Sequence, residues 1–258
     1  MFVVYIFKMN EPIKTMERLS LFNKSLLLVL LLSLGACATT NPNGEPNIDP
    51  FENVNRAVFS FNDGIDRILL KPIAKGYRYI TPNFVRLGVS NFFSNLSEVG
   101  SLVNATLQGK PVEGAKHTGR FLINSTIGIG GLFDVAKTMN LEKMDGEDFG
   151  QTLAVWGFNS GYYIVLPLLG SSTIRDGAGI PVNMALDPLG YYPEHRQTQT
   201  ALNALEIIDL RTRLLRAEEF IRGDRYLFIR DAYLQRREFL VNDGTVVDDF
   251  GGDGELDF

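Results

Sequence analysis

The sequence predicts an all-α fold in a single domain. Apolar residues recur at steps of three and four in five segments between residues 49 and 240, as they do on the buried stripe of a helix. Between residues 128 and 195, closely spaced glycines interrupt short apolar pieces, so bends rather than long helices are expected there. With 258 residues, 45% of them hydrophobic, the chain can build a core without disulfides or metals.

The first helix is predicted to begin at Asp49. This aspartate can cap the helix, Pro50 suits the first helical position, and Glu52 can complete a capping box. The stripe that follows has a helical spacing and consists of Phe51, Val54, Val58, Phe61 and Ile65.

Two further helices are predicted in the first half of the chain. One begins after Thr81 and Pro82, and the other begins at Pro111. Their apolar stripes run through Val85, Val89, Phe92, Leu96, Val99 and Val103, and through Val112, Ala115, Gly119, Leu122 and Thr126. The aromatic residues Phe84, Phe92, Phe93 and Trp156 suit either a core or the acyl layer of a membrane.

The middle segment contains one apolar run of strand length, at residues 162–169. Pro167 lies inside this run and argues against a central strand, since proline cannot donate to the ladder. We therefore predict an irregular or short helical segment there.

Two amphipathic helices are predicted near the C-terminus, at residues 199–221 and 225–240. Residues 211–237 hold eight arginines, four acidic residues and no lysine. One interpretation is that these arginines lie on a solvent-exposed helix face and form ion pairs with acidic residues four positions away. Examples are Asp209 with Arg213 and Glu218 with Arg222. The other is that some guanidinium groups meet phosphate head groups or an acidic partner.

The N-terminus has the anatomy of an export signal. Basic residues precede a run of apolar residues at 26–34, and Gly35-Ala36-Cys37 follows as a small-residue cleavage site. Nine residues are too few to cross a bilayer as a helix. The apolar run at residues 2–7 suggests that translation starts later, near Met16.

Leu34-Gly35-Ala36-Cys37 resembles the lipobox of bacterial lipoproteins, in which the cysteine is acylated and becomes the new N-terminus. Three acyl chains on one residue would tether a protein stably, whereas one chain binds only marginally. Ala38 rather than aspartate follows the cysteine, which in that class favours the outer membrane. The alternative is a buried free cysteine.

These signals divide the chain into four parts. We expect a signal peptide at residues 1–36, the anchor and a flexible tether at 37–48, the helical domain at 49–242 and a disordered acidic tail at 243–258. Removing the signal changes the net charge from -5 to -7. A net negative charge argues against nucleic-acid binding, which depends on lysine and arginine contacts with phosphates.

No sequence motif specifies catalysis, a cofactor or a metal. The chain has two histidines, His117 and His195, and one cysteine, so a zinc site made of spaced histidine and cysteine pairs is unavailable. The glycine-containing segments lack the residues that complete a phosphate-binding loop, a dinucleotide fingerprint or a nucleophile elbow. A triad assembled from distant residues stays open, because triads are recognised by geometry.

Collinear motifs from about residue 49 to 240 resemble the MlaA (VacJ) family of outer-membrane phospholipid-transport lipoproteins. The matching segments are Asn55-Arg56, Phe59-x-Phe61-Asn62, residues 90–96, 120–136, 148–153, 157–176 and Arg230-Asp231-Ala232-Tyr233 through Arg237. Tyr162 and Ser171 depart from the pattern, since many members have proline there.

The resemblance implies an all-helical ring in the inner leaflet of the outer membrane with an amphipathic channel. Phospholipids misplaced in the outer leaflet would pass through it to a soluble periplasmic carrier (MlaC-like), beside trimeric porins. It leads us to expect that Phe59, Phe61 and Asn62 control the channel and that Arg175 and Asp176 form a structural pair at a turn. Arg230 is a further candidate for a head-group or structural polar contact. A periplasmic lipid hydrolase and a structural lipoprotein that braces porins remain the alternatives.

Acylation of Cys37 gives a direct prediction. Full-length protein expressed with labelled palmitate is expected to carry the label, and the Cys37→Ala variant is expected to carry none, because the thiol is the acceptor. Label on the variant would refute the assignment.

Overall fold

The computed structural model describes residues 47–245, which fold into nine α-helices, three short helical turns and one β-hairpin. Cys37, the signal peptide, all but the last two residues of the tether and most of the predicted tail lie outside the described residues. In chain order the elements are α1 (Glu52–Ile65), a π-helical turn (Asp66–Leu70), α2 (Lys71–Ile80), α3 (Asn83–Leu107), α4 (Pro111–Thr126), α5 (Val135–Thr138), α6 (Phe149–Val155), β1 (Tyr163–Leu166), β2 (Gly170–Thr173), α7 (Ile174–Leu186), a 3-10 turn (Pro188–Gly190), α8 (Arg196–Leu214), a second 3-10 turn (Ala217–Phe220) and α9 (Arg225–Val241).

The predicted all-α class is confirmed apart from the hairpin. The apolar run at residues 162–169, predicted to be irregular or helical, contains β1, which pairs antiparallel with β2 from Tyr163 opposite Thr173 to Leu166 opposite Gly170. That prediction was wrong because Pro167 lies in the connecting turn, where it removes no ladder hydrogen bond. The turn itself uses left-handed backbone at Leu168 and Gly170.

The glycine-rich middle also contains a 13-residue helix, α7, where long helices were not expected. One of its glycines serves packing rather than bending. A Cβ atom on Gly179 would lie 2.9 Å from the backbone nitrogen of Gly150, so these two glycines let α6 and α7 approach backbone to backbone. Bends do occur at Gly130 and Gly131, whose φ angles of 67° and 91° are in the left-handed region.

The start of α1 differs from the prediction. Phe51 occupies the cap position without a side-chain cap bond, and Asp49 is buried instead. The Tyr226 hydroxyl donates to Asp49 Oδ2 over 2.5 Å, and Arg230 Nη1 donates to the same oxygen over 3.3 Å. Asp49 therefore connects the segment that precedes α1 to helix α9.

Two asparagines on α1 hold the edge of β1. Asn55 donates to the Tyr163 carbonyl over 3.1 Å and accepts from the Val165 amide over 2.9 Å. Two helical turns later, Asn62 donates to the Leu166 carbonyl over 2.9 Å and accepts from the Leu168 amide over 2.8 Å. These four bonds satisfy backbone groups of β1 and the turn that no further strand pairs.

Helices α3 and α4 form a hairpin with a charged interior. Buried Glu98 of α3 accepts from Arg120 Nε over 2.8 Å and contacts His117 Nδ1 at 2.5 Å, both on α4. Arg120 also donates to both oxygens of Asp134 over 3.1 Å, and Asn124 donates to the same carboxylate over 3.0 Å. The pKa of Asp134 falls below its usual value, because these bonds outweigh the effect of burial.

Candidate functional site

The interior of the described region is unusually polar. Eighteen polar or charged residues are buried among the described residues, against nine apolar ones. Water-soluble domains show the reverse preference, since burial of apolar side chains is their main source of stability. Hydrogen bonds and ion pairs therefore carry much of the packing between these helices.

The exterior carries the apolar side chains instead. Tyr79 is 92% exposed, Ile68 81% and Phe84 77%. No helix among residues 47–245 combines the length and hydropathy needed to cross a bilayer. Of the aromatic residues with two interpretations, Phe93 is buried in the core, whereas Phe84 and Trp156 are exposed and suit an apolar environment.

A cavity of about 560 Å³ lies between α1, the π-helical turn, the hairpin turn and the C-terminal helices. We call it the amphipathic cavity, because one part of its wall is apolar and another is charged. The apolar wall consists of Phe59, Ile65, Leu70, Leu168, Leu169, Leu214, Ala217, Ile221, Phe228, Ile229 and Ala232. The polar wall consists of Asn62, Asp63, Asp66, Ser171, Arg211, Glu218 and Arg225.

The charged wall is a connected set of ion pairs. Arg211 of α8 binds Asp66 through two bonds of 2.6 and 2.8 Å, which is the bidentate geometry of a guanidinium fork on a carboxylate. Arg211 Nη2 and Arg225 Nη2 each lie 2.8 Å from Glu218 Oε1. Arg225 Nε also lies 3.1 Å from Asp63. The set therefore ties α1, α8 and α9 together around the cavity.

Glu218 is the centre of this set. Its second oxygen lies 2.9 Å from Lys71 Nζ, so three cations surround one carboxylate. Burial by itself would raise the pKa of Glu218, but hydrogen bonds from Arg225 and Lys71 and the charge of Arg211 lower it to about 2. Glu218 is therefore ionised at neutral pH.

The structure separates the three residues expected to control a channel. Phe59 lines the amphipathic cavity and packs edge-on against Tyr226, with ring centroids 5.6 Å apart. Asn62 lines the same cavity while it holds the hairpin turn. Phe61 is 56% exposed and does not contribute to the cavity wall.

The polar candidates Arg175, Asp176 and Arg230 lie outside the cavity wall. Arg175 Nε is 3.0 Å from Asp176 Oδ1, in the first turn of α7 rather than in a loop. Asp176 also accepts from Arg237 over 2.9 Å and from the Tyr233 hydroxyl over 2.8 Å. Burial opposes ionisation of Asp176, but Arg237 and Tyr233 hold its pKa below its usual value. The contacts of Arg230 are with Asp49 and Asp231.

The arginine-rich segment follows neither interpretation completely. Asp209 and Arg213 pair over 3.1 Å as predicted, but Arg222 donates to the backbone oxygens of Glu219 and Ile221 instead of to Glu218. Most other arginines reach acidic residues on distant elements, as Arg211 does with Asp66 and Arg237 with Asp148. The arginines of this segment therefore form ion pairs with distant elements more often than with neighbours on a solvent-exposed face.

The histidines do not assemble a nucleophile site in the described region. His117 contacts Glu98 in the core of the α3/α4 hairpin, and His195 is exposed at the start of α8. Among residues 47–245 no group of three histidine, cysteine or acidic side chains is arranged to hold a metal ion.

A family model described as "MlaA lipoprotein" matches residues 47–240. The chain belongs to the MlaA lipoprotein family. It is 35% identical to the "Intermembrane phospholipid transport system lipoprotein MlaA" of Escherichia coli strain K12, in a match that covers 83% of this chain and 86% of the relative. The protein of the same description from Haemophilus influenzae is 33% identical over 87% of this chain and 93% of its own length.

A solved structure has the same fold as this member of the MlaA family. It is described as "Structural basis for maintenance of bacterial outer membrane lipid asymmetry", and it superposes with a TM-score of 0.67 at 36% identity. The match covers 76% of this chain and all of that one. The fold of the described region is thus one that the MlaA family uses.

Sequence reasoning missed helix α2 and the acidic half of the charged wall. Pro72, in the first turn of α2, is a helix-start signal that could have revealed this helix. Asp63 pairs locally with Arg67, but its contact with Arg225 and the contact of Asp66 with Arg211 join residues about 160 and 145 positions apart, which no local signal reveals. Only the excess of arginine in residues 211–237 pointed towards such partners.

The pKa of Glu218 predicts how stability depends on pH. Its folded value of about 2 is below the ordinary 4.5, so its contribution to stability is complete above about pH 4.5 and is lost as the pH falls towards 2. Glu218→Gln is expected to lower the Tm by several degrees at pH 7, at about 2–4 °C for each kcal/mol in a domain of this size. Between pH 4.5 and 2 the difference from the unsubstituted chain should shrink.

The measurement is a thermal melt of the detergent-solubilised chain across this pH range. Glu219→Gln is the matched control, since Glu219 is exposed and its carboxylate makes no ion pair in the described region. A Tm difference for Glu218→Gln that stays constant down to pH 2 would contradict the assignment.

Proposed function

We propose that this chain is a lipid-anchored outer-membrane component of an intermembrane phospholipid transport system. In this proposal the amphipathic cavity accepts phospholipid molecules mislocalised to the outer leaflet and passes them towards a periplasmic carrier, which maintains the lipid asymmetry of the membrane. Membership of the MlaA family supports the proposal, since relatives at 33–35% identity are described as components of such a system.

The observation that carries the proposal is the divided wall of the amphipathic cavity. A phospholipid needs polar partners for its head group and apolar contact for its tails, because an unpaired charge in an apolar environment costs several kcal/mol. Asn62, Ser171 and the ion-paired arginines provide polar surface on one side. Leu168, Leu169 and Phe228 provide apolar surface on the other. The volume of about 560 Å³ is within the range of about 300–1,000 Å³ for small-molecule sites.

The apolar exterior supports a location against the membrane. Exposed side chains such as Ile68, Tyr79 and Phe84 would be costly in water and favourable in an acyl layer. Acylated Cys37 would anchor the chain in the periplasm-facing leaflet of the outer membrane, with residues 38–48 as the tether. Trimeric porins are the expected neighbours, and a soluble MlaC-like protein is the expected acceptor. No covalent bond is made or broken in this process.

A substitution inside the cavity tests the proposal. Ala232 lies on the cavity wall, so Ala232→Trp would fill part of the space that the lipid needs. Native mass spectrometry of the purified protein is expected to show fewer co-isolated intact phospholipids, and cells should expose more phospholipid and become more sensitive to detergent. Ala201→Trp is the control, because Ala201 is an exposed residue of α8 outside the cavity.

Other outcomes would favour the alternatives. Release of fatty acid or lysolipid by the purified protein would indicate a hydrolase. An unsubstituted protein that retains no phospholipid would indicate a purely structural lipoprotein. Equal retention of phospholipid by Ala232→Trp would show that the lipid does not bind in the amphipathic cavity.

A further inference from the structure

A second cavity, of about 370 Å³, is lined by four arginines and a single acidic residue. We call it the arginine pocket. The guanidinium groups come from Arg78 near the end of α2, Arg86 in the first turn of α3, Arg213 in the last turn of α8 and Arg216 just beyond that helix. Asp209 is the acidic residue, and Asn83, Ser90 and Thr212 add polar groups to the wall. Arg213 and Arg216 belong to the arginine-rich segment at residues 211–237, whereas Arg78 and Arg86 were not singled out by the sequence.

The positive charge of this pocket is only partly balanced. Asp209 is 2% exposed and pairs with Arg213 over 3.1 Å. Arg78 and Arg216 are exposed and have no acidic partner in the described region. Arg86 Nη2 donates to Asn83 Oδ1 over 2.8 Å, while its Nε is buried without a hydrogen-bond partner. Arg86 Nη1 also donates to the Arg78 carbonyl over 3.4 Å, so the exposed guanidinium groups of Arg78 and Arg216 are the ones available to an anion.

The arginine pocket is separate from the amphipathic cavity. Arg211 and Leu214 of α8 line the cavity, whereas Asp209 and Arg213 of the same helix, together with Arg216 just beyond its end, line the pocket. Residues of a helix are about 100° apart, so these two sets occupy opposite sides of α8. The inference goes beyond the function proposed above and does not depend on lipid entering the amphipathic cavity.

Exposed apolar side chains adjoin the lining residues of the pocket along the chain, and we call them the apolar rim. Tyr79 and Ile80 follow Arg78 at the end of α2 and are 92% and 76% exposed, and Phe84, between Asn83 and Arg86, is 77% exposed. A surface that combines exposed aromatic and aliphatic side chains with arginines fits the boundary between acyl chains and head groups. The fork of a guanidinium group matches the geometry of phosphate oxygens.

We propose that the arginine pocket binds the phosphate of an anionic phospholipid whose chains lie along the apolar rim. An excess of three positive charges favours a head group with net negative charge over a zwitterionic one. Such a bound lipid would fix the corner between α2 and α3 at the membrane surface.

The test is native mass spectrometry of the full chain in mixed micelles that contain either phosphatidylglycerol or phosphatidylcholine. The unsubstituted protein is expected to retain phosphatidylglycerol preferentially. Arg78→Gln/Arg216→Gln should weaken this retention by about tenfold for each lost contact, since a hydrogen bond to a charged group contributes about 1.5–3 kcal/mol. Neither side chain bonds to another residue in the described region, so the variant is expected to fold, which a thermal melt checks.

Two controls separate the possible explanations. Lys116→Gln/Lys143→Gln removes the same charge from exposed positions outside the pocket and should leave retention unchanged. Ala232→Trp blocks the amphipathic cavity and should leave the preference for phosphatidylglycerol intact, so failure of the proposed function is distinguishable from failure of this one.

Wild-type retention by the double arginine variant would overturn the proposal. Displacement of phosphatidylglycerol by inorganic phosphate at a comparable concentration would also overturn it, because the pocket would then serve a free anion rather than a lipid.

Discussion

The polar contacts between helices are the constraint on which the rest of this structure depends. A chain that turns large apolar side chains outward cannot rely on them to hold its helices together in water, so buried amides and ion pairs take that role. The bidentate pair of Arg211 with Asp66 is the clearest example, because it fixes α8 to the segment that follows α1. Removing one partner of such a pair leaves a charge without compensation.

Helix α1 is organised by the same principle along a single face. Asn55, Asn62 and Asp66 lie seven and four residues apart, which places all three on one side of the helical segment. The first two hold β1 and its turn, and the third holds α8. Asn62 and Asp66 therefore fix the hairpin turn and α8, two parts of the cavity wall, relative to α1.

Much of this fold is predictable from local signals. The helical periodicity gives α1, α3, α4, α8 and α9, because each has an apolar stripe and most have a start signal. Long-range pairing is what local signals leave out. The hairpin was not predicted because Pro167 indicates a break in a strand unless it is known to lie in the turn. Helix α7 was not predicted because Gly179 was taken to mark a bend, whereas it allows close helix packing.

The candidate site was predicted less well than the fold, for a related reason. Phe59 and Asn62 do line the amphipathic cavity, yet Phe61, two residues from Phe59 on a helix, faces elsewhere. Glu218 looked like the partner of Arg222 four residues away, whereas it is surrounded by Lys71, Arg211 and Arg225. Because the cavity wall is assembled from segments that are far apart in the sequence, no single segment shows a pattern that reveals it.

The central claim is that the amphipathic cavity holds intact phospholipid. It is tested most directly by photo-crosslinking with a phospholipid that carries a diazirine in its acyl chain, followed by mass-spectrometric mapping of the labelled residues. The account predicts label on Leu168, Leu169 and Phe228 of the cavity wall. Label confined to exterior residues such as Tyr79 and Phe84, with none inside the cavity, would contradict it.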